Sequence, residues 1–380
     1  MRKLQFIWVV LSALLLADAC SRLEEQKATL NIYVRIPEEV TTKAVTDWTT
    51  LFNRETRIND LKIWVFLNEA TDASLPAGKL LGYLEPKQLN VVSGKVQKFT
   101  IPLDKDDAAK IKKVDVYVLA NNGSFQTTAL DEHATPADLD ALVLSGNSFG
   151  VADNGNPTNL GVDVTKGLPY TAMGKGLTLS GSLPNLSVDN ETLQLVRAVS
   201  KIQFVFSQIM LASGDKPIPF AITGLELDGG QIPEQEYLFK ASTDPYRIGS
   251  SFVTKTIYFP ALPAKNEIVG NLNPASYVYD SLNETPQEYQ DRIYEALIDN
   301  KLTGYSPCYL RESNKALKGK ITYTLGNSAA KTMDFSMNAN DKFTRNSSWV
   351  LYFYVNNNSL SLSVSYTPWT PVGSYTIIGR

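Results

Sequence analysis

Apolar and polar residues alternate over much of the chain, and this pattern predicts β-strands. In "ATLNIYVRIPEEV" the apolar residues at alternate positions are Leu30, Ile32, Val34 and Ile36. A period of two residues is typical of a strand that buries one face. Comparable runs, bounded by Gly, Asn, Pro or Asp, follow in "DLKIWVFLN", "KLLGYLE", "VQKFTIPL" and "KVDVYVLANNG". The first half of the chain is therefore predicted to form a β-sheet domain.

A similar pattern late in the chain predicts a hairpin. The runs "SWVLYFYV" and "SLSLSVSYTPW" flank three consecutive asparagines, residues 356–358, and asparagine is a common turn residue. In the second arm the apolar residues that alternate with serines are Leu360, Leu362, Val364 and Tyr366. We expect this arm to have one buried face and one face in solvent.

Helix signals are few. Thr135 followed by Pro136 predicts the start of a short helix. A second helix is predicted from Pro286 to about Asn300, because Thr285 and Glu288 have the spacing of a capping box. The apolar stripe of that helix indicates core packing.

The loop-rich passage "GSLPNLSVDNET" indicates a domain boundary near residue 190. A chain of 380 residues with 43% apolar residues is long enough to bury two cores. The predicted fold class is all-β with two short helices. It comprises two antiparallel β-sandwich domains, over residues 28–188 and 189–380.

The N-terminus has the layout of a secretory signal. A basic start is followed by an apolar run over Leu4 to Ala17, which is shorter than the roughly 20 residues of a membrane span. Cys20 comes directly after Ala17-Asp18-Ala19, and this junction resembles the lipobox of bacterial lipoproteins. We expect residues 1–19 to be removed, Cys20 to be acylated and residues 20–27 to form an acidic tether. The alternative is an ordinary signal peptide with an incidental cysteine.

Composition and motifs do not predict catalysis, a cofactor or a metal site. The net charge of −3 provides no basic surface for nucleic acid. With Cys20 acylated, Cys308 has no intrachain cysteine partner, and His133 is the single histidine. The densest carboxylate runs, Asp104–Lys110 and Ala129–His133, are interpreted as solvated loops.

The ordered series of segments resembles the FimA-like fimbrial proteins of Bacteroidales, which are type V pilins and accessory subunits. The segments are "VTTKAVT", "INDLKIWVF", "VDVYVLANNG", "LPYTAMGKG", "LVRAVSKIQFVF", "PCYLRESN", "FTRNSSWVLYFYV" and "LSLSVSYTPW". The resemblance implies two transthyretin-like β-sandwich domains and an outer-membrane lipoprotein that serves adhesion at the cell surface. It also implies that a trypsin-like protease, typically arginine-specific, frees the first strand. The partners implied are other fimbrial subunits, which exchange strands, and a receptor on a host or bacterial surface.

Several residues fit these implied roles. Lys43 followed by Ala44 stands where the family usually has Arg-Ala, and Arg54 and Arg57 are the alternative cleavage positions. Cleavage there would release the strand that carries Leu30 to Ile36 and open a groove for another strand. The candidate donor is the segment 370–380, and its apolar residues are Val372, Tyr375, Ile377 and Ile378. That segment is alternatively the last strand of its own domain.

The sequence leaves the position in a fimbria open, and it leaves two other functions open. Without cleavage the chain would resemble an anchor or an accessory subunit, and a tip adhesin is a third role. A surface glycan-binding lipoprotein would use exposed aromatic residues such as Trp48, Trp369 and several of the 18 tyrosines. An enzyme would need a cleft in which two carboxylates, or His133 and a carboxylate, converge.

Overall fold

A computed structural model describes residues 27–36, 57–86, 89, 94–122, 130–145, 167–208, 218–240, 246–262, 273–305, 307–338, 343–356 and 359–368. The strands in the first half are β1 (Lys27–Arg35), β2 (Leu61–Leu67), β3 (Leu80–Leu84), β4 (Val96–Asp104), β5 (Lys113–Ala120), β6 (Val143–Ser145), β7 (Tyr170–Ser182), β8 (Asn185–Gln194) and β9 (Val196–Arg197). The later strands are β10 (Ser200–Gln208), β11 (Phe220–Leu227), β12 (Gln235–Tyr237), β13 (Ile257–Phe259), β14 (Thr303–Gly304), β15 (Cys308–Leu310), β16 (Lys318–Leu325), β17 (Lys331–Ser336), β18 (Ser347–Asn356) and β19 (Ser359–Pro368). The helices are α1 (Lys105–Ala108), α2 (Pro136–Asp140) and α3 (Pro286–Ile298), with a 3-10 turn over Pro274–Tyr277.

The first sheet has the strand order β3-β2-β5-β7-β8-β1-β4, and β9 also pairs with β7. Its two outermost strands, β3 and β4, lie against each other. Gly82 in β3 permits this approach, since a Cβ there would lie 2.5 Å from Ile101 Cγ2 and 3.3 Å from the Pro102 carbonyl oxygen. The strands therefore enclose one core, which includes Trp64 and Tyr117.

The second half forms two sheets that pack face to face. One has the order β14-β10-β18-β19, with β15 also on β10, and the other has the order β13-β11-β16-β17. Aromatic rings fill the space between the two sheets, with centroid distances of 5.5 Å for Phe204–Phe259 and 5.4 Å for Phe335–Phe353. Helix α3 covers the opposite face of the first of these sheets, where Tyr289 and Ile293 are buried.

The predicted all-β class and the two predicted helices are confirmed. Both helices begin with a complete capping box, Thr135 with Asp138 and Thr285 with Glu288. The predicted hairpin is also present, since β18 and β19 pair antiparallel as far as Asn356 opposite Ser359. Two strand pairs, β1–β8 and β10–β18, are parallel, and the prediction of antiparallel sandwiches did not include them. Parallel partners are joined by long connections, which local periodicity does not reveal.

The expectation of a solvated serine face on β19 is wrong for the last part of the strand, while Ser361 and Ser363 are half-buried. Helix α3 and the residues before it cover that last part: the Tyr279 backbone N–H donates to Ser365 Oγ at 3.1 Å, and Gln290 Nε2 donates to Thr367 Oγ1 at 3.4 Å. Ser365 and Thr367 are buried, whereas Tyr366 on the apolar face is 45% exposed. Period-two alternation locates two faces of a strand but does not show which elements cover them.

The predicted boundary between residues 188 and 189 falls inside β8. The first sheet continues through β8 to β9, and the second sheet system begins with β10. The pairing of β6 with β12 joins the two halves. Among the described residues, no helix is both long enough and apolar enough to cross a membrane.

Candidate functional site

β1 lies in the interior of the first sheet. It pairs antiparallel with β4 along its whole length, from Lys27 opposite Asp104 to Arg35 opposite Val96. On its other side it pairs parallel with β8. Removal of β1 would therefore leave two facing strand edges, each with unpaired backbone N–H and C=O groups.

The core face of β1 is fully buried. The four residues predicted to share this face, Leu30, Ile32, Val34 and Ile36, each have at most 3% of their surface exposed, and Ala28 joins them at 0%. The strand therefore contributes a continuous row of side chains to the first core. Their release from the fold is still a prediction.

The outer face of β1 is linked to both neighbouring strands by side-chain hydrogen bonds. Thr100 Oγ1 on β4 donates to Asn31 Oδ1 at 2.9 Å. Asn31 Nδ2 in turn donates to Ser187 Oγ on β8 at 3.5 Å, and Thr29 Oγ1 donates to Asn185 Oδ1 at 3.0 Å. The amide of Asn31 thus spans three strands and fixes the register of β1 between its neighbours.

The backbone just before β2 is held by Asn121, a buried residue with a φ of 58°. Its Nδ2 donates to the carbonyl oxygens of Arg57 and Leu168, both at 2.7 Å, and its Oδ1 accepts from the Asn59 N–H at 2.7 Å. Arg57 itself is exposed. Its peptide carbonyl is therefore engaged although its side chain is accessible.

Most of the other predicted site residues lie outside the described residues. These are Cys20, Lys43, Ala44, Arg54, Val372, Tyr375, Ile377 and Ile378, together with Trp48 and Trp369. Their roles remain predictions from sequence. Arg57 is the one predicted cleavage position that the structure describes.

A buried cluster of ionisable side chains within the second half was not anticipated from the sequence. The carboxylates of Glu236 and Glu312 are both fully buried. Arg345 Nη2 lies 2.9 Å from Glu236 Oε1 and 3.0 Å from Glu312 Oε1, and Lys240 Nζ lies 2.7 Å from Glu312 Oε2. These residues are far apart in the sequence, so no local motif indicates them.

The two buried carboxyl groups have opposite pKa shifts. Burial raises the pKa of Glu236 to about 8, although Arg345 acts against the shift. Burial also acts on Glu312, but the charges of Arg345 and Lys240 outweigh it and lower the pKa of that carboxyl. Neither carboxylate is accessible to a substrate. We therefore interpret the cluster as a link between β12 and the segments that carry Glu312 and Arg345.

The features that a glycan-binding protein or an enzyme would need are sparse in the described part of the chain. The aromatic side chains that are exposed there are Tyr258 and Tyr366, which lie on different sheets and form no row. His133 is exposed in a turn, where its backbone N–H donates to Asp131 Oδ1 at 2.8 Å. No group of three potential metal ligands occurs among the described residues.

Comparisons with solved structures agree with the fold. A candidate cell adhesion protein from Parabacteroides distasonis has a TM-score of 0.51 and 15% identity, with 92% of this chain and 99% of that chain covered. At this identity, the likeness shows a shared fold.

Two further solved structures are similar to the chain. The tip fimbrial protein Mfa3 from Porphyromonas gingivalis, with a C-terminal truncation, has a TM-score of 0.47 and 11% identity over 90% of this chain and 100% of that one. A candidate cell adhesion protein from Bacteroides eggerthii has a TM-score of 0.48 and 14% identity over 90% and 96%. No family model matches the chain, and no curated protein matches its sequence. These solved structures are described as candidate cell adhesion proteins and as a tip fimbrial protein.

Proposed function

We propose that the chain is a subunit or accessory lipoprotein of an outer-membrane fimbria. In this proposal, proteolysis frees β1, and a strand from another subunit takes its place, so that subunits are joined in an adhesive surface fibre. The chain performs no catalysis and needs no cofactor. Before processing, lipid on Cys20 holds it on the outer membrane.

The observation that carries this proposal is the position of β1. It is the first strand of the described chain, yet it lies between β4 and β8 and not at an edge of the sheet. A strand that fills this place gains backbone bonds on both sides and buries a row of five side chains. At about 1.5–3 kcal/mol for each of the four larger side chains, the gross gain is roughly 6–12 kcal/mol. Such a gain supports a durable junction between subunits.

The fold likeness supports the proposal at a coarser level. The solved neighbours include proteins described as fimbrial or as candidates for cell adhesion. A structural role at the cell surface is the function that those descriptions have in common. Strand release, lipid attachment and the outer membrane are our proposal for this chain.

The experiment that tests the proposal is mass spectrometry of the N-terminus of the protein purified from its native outer membrane. A chain that starts at Ala44, or after Arg54 or Arg57, supports a processed subunit that exchanges strands. A chain that starts at acylated Cys20 supports an anchor or an uncleaved accessory subunit. A chain without lipid that begins elsewhere and still contains β1 would contradict both roles.

A further inference from the structure

The groove that β1 would leave is shaped for one kind of strand. We propose that its occupant is a strand of a different chain with aliphatic residues at five alternate positions, and not the segment 370–380 of a second copy. This inference rests on the proposed strand exchange and specifies the partner. It follows from the two faces of β1 and from the sequence of the candidate donor.

The core face sets the first requirement. The five inward side chains of β1 and the residue that follows it are, in order, small at Ala28 and then larger and aliphatic at Leu30, Ile32, Val34 and Ile36. None is more than 3% exposed, so each position is enclosed by the core. A polar side chain at one of these positions would lose its hydration without gaining a hydrogen-bond partner. A large side chain in place of Ala28 would overpack the core.

The outer face and the strand directions set the second requirement. The occupant runs antiparallel to β4 and parallel to β8, as β1 does. Asn31 bonds to Thr100 on one side and to Ser187 on the other. A slip of one residue would turn this amide into the core and the aliphatic row into solvent. The groove therefore favours a strand with an amide at the outward position between the residues that replace Leu30 and Ile32.

The segment 370–380 does not meet the first requirement, and it contains no Asn or Gln that could supply the outward amide. In one phase its inward residues would be Gly373, Tyr375, Ile377 and Gly379, and in the other they would be Val372, Ser374, Thr376 and Ile378. Each phase therefore offers two bulky apolar side chains where β1 offers four and an alanine. The second phase also places two hydroxyl groups in the core.

A partner-specific groove gives this chain a defined neighbour. Copies joined through segment 370–380 would have poorly filled grooves, so that segment does not support a homopolymer. The chain instead accepts a strand from a subunit of different sequence, and it lies beside that subunit in the fibre. Its place is then at a junction between unlike subunits.

Peptide exchange on the full-length protein tests this partner. A recognition sequence for a specific protease is introduced at residues 41–47, and the purified chain is cut there so that β1 stays bound without a covalent link. Fluorescent peptides of residues 27–36 and 370–380 are then compared by anisotropy. A third peptide carries Ser374→Leu and Thr376→Ile in the 370–380 sequence, which supplies four alternate aliphatic residues.

We expect the 27–36 peptide to enter the groove and the 370–380 peptide to bind on the order of 100-fold more weakly. The doubly substituted peptide should recover at least part of this difference, roughly tenfold or more. Equal binding of the 27–36 and 370–380 peptides would overturn the partner assignment and leave strand exchange intact. Failure of all three peptides to enter would overturn strand exchange itself, and the partner assignment with it.

Discussion

Asn121 provides a test, at the scale of single residues, of where the chain is processed. Its Nδ2 donates to the Arg57 carbonyl oxygen at 2.7 Å, and a protease that cuts after Arg57 must take that oxygen into its own oxyanion hole. Asn121→Gly removes the side-chain bonds and tolerates the positive φ. With about 1 kcal/mol for each lost bond to residues 57–59, we expect trypsin to cut after Arg57 roughly 10- to 100-fold faster. Intact-mass analysis of limited digests measures the rate.

The matched control is Asn122→Gly, the same change at the next position. The Oδ1 atom of Asn122 is buried and accepts no hydrogen bond from the described residues, so we expect cleavage after Arg57 to stay at the wild-type rate. Wild-type protein that is cut after Arg57 as fast as after Lys43 would contradict the protective role of Asn121. If the prediction holds, processing takes place upstream of Arg57.

The buried pair Glu236 and Glu312 predicts a pH effect at the same scale. Burial raises the pKa of Glu236 to about 8 in the folded state, above its ordinary value of 4.5. The contribution of this protonated group to the free energy of unfolding is therefore complete below pH 4.5, and it is lost as the pH rises through about 8. Glu236→Gln keeps a neutral group at all pH values. Relative to wild type, the free energy of unfolding of this variant should increase by on the order of 1 kcal/mol per pH unit across this window. Urea unfolding at several pH values measures the trend, and parallel stability curves would contradict it.

At the scale of elements, Gly82 determines how closely β3 approaches β4. Gly82→Ala would place a Cβ 2.5 Å from Ile101 Cγ2 and 3.3 Å from a backbone oxygen of β4. We expect a loss of about 1–3 kcal/mol in the free energy of unfolding. Gly224→Ala is the matched control in strand β11, since its Cβ would meet nothing closer than Thr322 Cβ at 3.9 Å, and it should cost less than about 0.5 kcal/mol. Equal losses in urea denaturation would contradict the role of Gly82.

The core face of a strand can be predicted from the sequence, but the strands that it pairs with cannot, as β1 shows. The core face of β1 was predictable, because period-two alternation is a local property. Its position between β4 and β8 was not, since β8 lies some 150 residues later in the chain and pairing is set by the whole fold. The cover over Ser365 and the ion cluster of Glu236, Glu312 and Arg345 likewise depend on segments that are distant in sequence. The predicted lipid and cleavage residues, except Arg57, lie outside the described residues.

At the scale of the whole molecule, β1 is expected to couple processing to assembly. The roughly 6–12 kcal/mol that its four larger buried side chains contribute is comparable to the net stability of a typical domain, about 5–15 kcal/mol. A chain that has lost β1 without receiving another strand should therefore lose order in the first sheet. The sheets that contain Phe204 and Phe353 share no strand with the first sheet, although their buried residues adjoin its core, so they should persist.

Hydrogen exchange on the chain cut within residues 41–47 tests whether the first sheet loses order while the later sheets persist. After β1 is washed out in mild urea and the urea is removed, we expect amide protection to fall in β4 and β8, which lose a bonding partner, and to be retained in β10 and β18. Addition of the 27–36 peptide should restore protection in β4 and β8, because it returns both the backbone bonds and the buried side chains. The uncut chain taken through the same urea step is the control. If β10 lost its amide protection together with β4 and β8, the two halves would unfold as one unit. A subunit that had lost β1 would then need its donor strand to stay folded at all.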